Sequence, residues 1–163
     1  MKAARARVVL RDCRFAHEEL ELVDSQRQFR FKFAGAMSLI RAVGHVLQKV
    51  DGSSNAKLQK AISTAWRLWS LHPEKYPLFH DFICRERNLI LKEYDFNLDE
   101  RNSIPVLLQS HREREDSSID DCLFKPILDG SFAGEDVRDV YMDAIMWWEC
   151  EISKIEEIAR QIS

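Results

Sequence analysis

Apolar positions recur along the chain at three-, four- and seven-residue steps, which is the spacing of helix faces rather than strands. Over residues 3–22, Val8, Phe15 and Leu22 repeat at seven-residue intervals, as do Val9 and Ala16, so each set shares one face of a first helix. Asp24 and Ser25 then supply N-cap chemistry. Phe29, Phe33, Ala36, Ile40, Val43 and Leu47 trace the apolar stripe of a second helix over about 26–50, and Asp51-Gly52-Ser53-Ser54 stops it. A third helix over about 54–71 has Leu58, Ile62, Ala65 and Trp69 in phase and ends before Pro73. Pro77 suits the first turn of a fourth, over about 77–94.

Residues 95–134 change character. They carry Pro105, Pro126, Gly130, Gly134 and the polar run His111–Asp116, with two short extended pieces, Ile104–Leu108 and Cys122–Leu128, that suit a small hairpin or flap. The last helix, about 135–161, opens on Glu135 and Asp136, whose charges complement the helix dipole. The pattern predicts one all-α domain over 1–163, a four- to five-helix bundle with one irregular insertion.

Composition narrows the function classes. The 163 residues are 45% hydrophobic and 31% charged, with only 5 glycines and 4 prolines, as expected of a folded helical domain. The net charge of −3 leaves no global basic field for holding nucleic acid, so any such contact must come from a local patch. Cys13, Cys84, Cys122 and Cys150 are irregularly spaced, fit no zinc template and are expected to be reduced. No apolar run is long enough to cross a membrane, and Val8-Val9-Leu10 is too short for a signal peptide. The expectation is a cytoplasmic protein with no membrane partner, metal or cofactor.

Candidate chemistry concentrates in the fourth helix. At about 100° per residue, His80, Arg87 and Tyr94 fall on one line, while Leu78, Phe82 and Leu89 cluster opposite and are expected to face the core. Asn88 and Lys92, four apart, flank Arg87. A fork-shaped guanidinium, an ammonium, an amide and a phenol on neighbouring faces suit a phosphate group.

Arg87, four residues, Lys92, one residue and Tyr94 together resemble the Arg-x4-His-x-Tyr motif of the HEPN superfamily, whose members often carry a polar residue such as Asn88 after the Arg. The order of helices is similar as well, over roughly 26–162. The resemblance implies a helical bundle that forms a homodimer with two motifs at a composite site. It further implies RNA or nucleotide binding, and in many members metal-independent ribonuclease activity, including toxins that pair with a cognate antitoxin protein. Other members are inactive dimerisation or protein-interaction modules. By this resemblance Arg87 and Lys92 are candidate catalytic residues, and Asn88 and Tyr94 the candidate substrate contacts; His80, on the Arg87 face by helical phase alone, is a further catalytic candidate that would reach Arg87 across an antiparallel dimer.

This chain has Lys92 where the family has His. A histidine near pKa 6.5 takes and gives a proton at neutral pH, whereas an ordinary lysine near 10.4 is a poor base. The motif therefore argues for phosphate binding ahead of catalysis. Arg87, Asn88, Lys92 and Tyr94 also fit a plain solvated face with Glu86 and Glu93 as ion partners. Arg41 and His45 form a second polar pair that can line the same cleft, though a structural role for His45 is the simpler expectation. His17-Glu18-Glu19 lacks a second His at ligand spacing. Burying both Trp147 and Trp148 requires a broad cover on the last helix, which suits a partner subunit.

Overall fold

The computed structural model describes residues 2–99 and 124–162. Among them are five α-helices longer than one turn and no strand. They are α1 (Ala4–Glu21), α2 (Gln26–Val46), α3 (Ala56–Leu71), α4 (Arg85–Glu93) and α5 (Val137–Gln161). α1 and α2 lie against each other, α5 packs on α1 and α3, and α4 packs on α2. The fold is an all-α bundle. No helix among the described residues is long and apolar enough to cross a membrane.

Local chemistry accounts for most of the helix ends. Ser25 Oγ accepts from the Gln28 amide at the start of α2 (3.4 Å), and Asn55 Oδ1 accepts from Lys57 and Leu58 (3.0 Å each) at the start of α3. Asp136 is the N-cap of α5 rather than part of its first turn, accepting from the Arg138 amide at 2.9 Å. α1 has no side-chain cap of its own. Instead Asp51, 5% exposed, accepts from the Arg5 and Ala6 amides at 3.1 and 2.8 Å.

Two helical stretches depart from expectation. α2 does not stop at Asp51 but widens into a π-helical segment, Leu47–Asp51, and closes with the single turn Gly52–Ser54. The helix expected over 77–94 is also composite. Its first half, Leu78–Cys84, is π-helical, and only Arg85–Glu93 is α-helical. A π turn is wider than an α turn, so residues before Arg85 do not keep α-helical phase with those after it. Phe79, Phe82 and Ile83 are buried, whereas Leu78 and Leu89 are only half-buried.

On α1 the seven-residue stripe points outward. Val8, Phe15 and Leu22 are 38%, 63% and 77% exposed, while Ala6, Leu10, Cys13 and Leu20 form the inward face. On α5 the cover for both tryptophans comes from within the chain. Trp148 is 0% exposed, and Trp69 of α3 sits 5.2 Å from Trp147 and 5.6 Å from Trp148 between ring centroids. Phe79 completes the cluster 5.6 Å from Trp147. The Trp69 indole donates to buried Glu151 at 3.0 Å, so its polar edge is satisfied.

Of the insertion expected at 95–134, residues 100–123 lie outside the described residues, and with them the extended piece Ile104–Leu108, the polar run His111–Asp116 and the first two residues of the piece Cys122–Leu128. The described ends meet through an isolated antiparallel bridge, Leu98 with Ile127, and a second, Pro126 with Asp136, folds the returning end onto the start of α5.

Candidate functional site

α4 divides its residues among three directions. Glu86 and Ile90, one turn apart, are buried. Arg85 reaches the returning insertion, where its guanidinium pairs with Asp129. Arg87 and Asn88 are half-buried, and Arg87 acts electrostatically on His45 of α2.

Glu86 is not the surface ion partner the sequence suggests for Arg87. It is 2% exposed, and its Oε1 accepts from the Asn97 amide nitrogen at 3.0 Å. Burial pushes its carboxyl up to about 7, against the pull of the Asn97 hydrogen bond and of Arg85. Asn97 is held in the left-handed region (φ 43) and also donates to the Asp129 carbonyl at 3.3 Å. Arg85 and Glu86 thus fasten the ends of the insertion to α4.

The Arg87 side meets a line of polar residues on α2. Arg41 and His45 are one turn apart, and Lys49 follows in the π-helical extension. Gly44 permits this arrangement: a Cβ there would stand 2.9 Å from the Trp148 ring and 3.3 Å from the Trp66 ring. With no side chain at that point, the indoles close on α2, and Trp66 and Phe79 lie under the Arg41 guanidinium, at 6.0 and 5.9 Å from ring centroid to Cζ. Arg41 Nη1 is buried and has no hydrogen-bond partner among the described residues.

The electrostatics of the neighbourhood are one-sided. Partial burial lowers the pKa of His45, and Arg41, Arg87 and Lys49 lower it further. Burial raises the Cys84 thiol, while Arg41 and Arg87 oppose the rise. Among the described residues, no carboxylate forms an ion pair with Arg41, His45, Lys49 or Arg87. Arg87 Nη1 instead donates to Asn88 Oδ1 at 3.0 Å, which turns the Asn88 amide hydrogens away from the guanidinium. The result is a patch of donors and positive charge from two helices, with an exposed imidazole that is neutral at neutral pH. Such a patch can hold an oxyanion, and a neutral imidazole beside it can accept a proton.

The other sequence candidates lie elsewhere. Lys92 is exposed and, among the described residues, makes no hydrogen bond or ion pair with the patch. Tyr94 is 68% exposed and ends α4 in the left-handed conformation (φ 54). Its ring meets Phe96 edge-on at 5.3 Å and sits 5.4 Å from the Arg30 guanidinium, near the opposite end of α2 from His45. His80 Nε2 lies 3.0 Å from the Trp69 carbonyl. A carbonyl only accepts, so that nitrogen carries the hydrogen and ties the π segment to the end of α3.

Arg87 and Asn88 are therefore joined by Arg41, His45 and Lys49 rather than by Lys92, Tyr94 or His80. The Arg41–His45 spacing was the available signal; that Arg87 lies opposite them is a tertiary fact no local pattern carries. His17 stacks on Tyr141, with 6.4 Å between ring centroids, and lies 3.4 Å from Glu21. No cluster of three or more metal-capable side chains occurs among the described residues. No protein-family model, curated protein or solved structure matches the chain.

Proposed function

We infer that the chain binds a phosphate group of RNA or of a nucleotide at the patch formed by Arg41, His45, Lys49, Arg87 and Asn88. The observation that carries this is the convergence of three permanent cations and an imidazole from α2, its π-helical extension and α4 with, among the described residues, no ion-paired carboxylate and one buried guanidinium nitrogen that has no hydrogen-bond partner. Leaving such charge uncompensated is costly, and an anion relieves the cost. The resemblance of Arg87, Asn88, Lys92 and Tyr94 to the HEPN motif supports the same ligand class.

Metal-independent RNA cleavage would use the patch as follows. His45 takes the proton of the 2′-hydroxyl, whose oxygen attacks phosphorus; the P–O5′ bond breaks to leave a 2′,3′-cyclic phosphate, and the departing 5′-oxygen takes a proton from water, while Arg87 and Arg41 stabilise the charge that develops on the non-bridging oxygens and Asn88 orients one of them. His45 thereby fills the role of base for which Lys92 is unsuited. The second reading, an inactive interaction module, is favoured by one observation: Lys92, at the motif position of the family's His, is exposed and makes no hydrogen bond or ion pair with the patch.

Titrating a labelled single-stranded RNA and, separately, inorganic phosphate tests the proposal. Arg87→Ala or Arg41→Ala should each weaken binding by about tenfold or more, the usual loss for a charge-assisted hydrogen bond. RNA incubated in EDTA should be cleaved by the wild type but not by Arg87→Ala or His45→Ala. Binding without cleavage leaves a phosphate-binding domain. Absence of both effects would sink the proposal in favour of the interaction module.

A further inference from the structure

Among the described residues, nothing covers the outward stripe of α1. At about 100° per residue, Ala4, Val8, Arg11, Phe15, Glu18 and Leu22 fall within an arc of about 80°, and all six are exposed. The inward residues Ala6, Leu10, Cys13 and Leu20 occupy the opposite side and account for the packing of α1 on α2 and α5. An apolar line of Val8, Phe15 and Leu22 at strict seven-residue spacing is the form of a helix–helix seam.

The charges beside that line identify the occupant. Arg11 and Glu18 lie on the same flank, roughly 10 Å apart along the axis, and neither forms an ion pair among the described residues. In an antiparallel pair related by a two-fold axis, each flank meets the same flank of the other copy. With the axis at Phe15, Val8 of one copy faces Leu22 of the other, and Arg11 of each comes within one residue, about 1.5 Å along the axis, of Glu18 of its mate. The stripe is thus complementary to itself in charge and sets apolar side chains against apolar ones. On the other flank Glu19 is already neutralised by Lys32 at 2.8 Å.

We propose that α1 is a self-association surface on which a second copy of this chain lies antiparallel, centred on Phe15 and registered by two Arg11–Glu18 pairs. The phosphate patch lies between α2 and α4, so this dimer leaves both patches open, and neither proposal depends on the other.

The experiment is sedimentation velocity over a concentration series, with the helical signal of every variant checked by circular dichroism. Wild type should dimerise. Arg11→Glu alone sets acid against acid, and Glu18→Arg alone sets base against base; each should weaken self-association at least tenfold. An equimolar mixture of these two variants should recover a heterodimer, and the double variant R11E/E18R should recover the homodimer. Independently, Phe15→Cys in a Cys150→Ser background should form an interchain disulfide under mild oxidation that the Cys150→Ser parent does not. A wild type that stays monomeric, single reversals that leave the dimer unchanged, or a mixture that does not reassociate would each overturn the proposal.

Discussion

Replacing Glu86 by Gln keeps the shape of a buried side chain and the oxygen that accepts from Asn97, and removes only the ability to ionise. The wild-type carboxyl is 2% exposed. Burial raises its pKa from an ordinary 4.5 to about 7; Asp129 and Asp95 add to the rise, and Asn97 and Arg85 oppose it. A folded-state pKa above the unfolded one means the folded state holds the proton more tightly. The favourable contribution is therefore complete below about pH 4.5 and is lost as pH rises through about 7. The gap of about 2.5 pH units, at about 1.4 kcal/mol each, corresponds to about 3.5 kcal/mol. Most of it, about 2.5 kcal/mol, is lost between pH 5 and pH 8. Glutamine has no such loss. In urea unfolding followed by circular dichroism, the stability of Glu86→Gln relative to wild type should thus rise by about 2–3 kcal/mol from pH 5 to pH 8, with unchanged m values. Other titrating groups are common to both proteins and cancel. A difference that stays flat across that range, or falls, would refute the assignment of a neutral buried carboxyl.

Three further outcomes are expected. Gly44→Ala drives a methyl into the Trp148 and Trp66 rings, which the surrounding indoles hold in place; after the helix-propensity gain it should still cost about 1–2 kcal/mol, read as a lower Tm. Gly130→Ala places a side chain at φ +92 and against Arg85 Nη1, so it should destabilise by about 1–2 kcal/mol and weaken the Arg85–Asp129 tie. Because the pKa of His45 is lowered in the free protein and a bound phosphate must raise it, binding should take up a proton and strengthen as pH falls from 8 toward 6. Calorimetry in two buffers of different ionisation enthalpy measures that uptake, and His45→Gln should abolish it.

The helical architecture was legible because periodicity reports helix faces directly. Phe29, Phe33, Ala36, Ile40, Val43 and Leu47, singled out by spacing, are all buried. Periodicity does not say which face looks inward, and α1 illustrates the gap. Its heptad of large residues lies outside, and its inner face is built from the smaller Ala6 and Cys13 with Leu10 and Leu20. The π segment over Leu78–Cys84 was hidden for a related reason. Extrapolating α-helical phase from His80 to Arg87 assumes a pitch that local composition does not reveal. Glu86 stands between two arginines in sequence and reads as surface, yet it is buried because Asn97, eleven residues on, turns back to meet it. In the site, Arg87 and Asn88 were found from their motif, whereas their partners on α2 depend on how two distant helices pack.

The carboxylate of Asp51 has a consequence for how the chain acquires its structure. It receives the amides of Arg5 and Ala6 from 46 and 45 residues away, where most helices close their first turn with a neighbour. A fragment containing α1 alone has no such acceptor, so its amino end should fray in isolation. Order in the first turn of α1 then depends on α2 having extended through its last turns, and at Ala3, whose amide donates to Glu156 at 2.8 Å, on α5 as well. Amide hydrogen exchange at Arg5 and Ala6 should accordingly track the opening of the Leu47–Asp51 segment rather than any local event at the terminus.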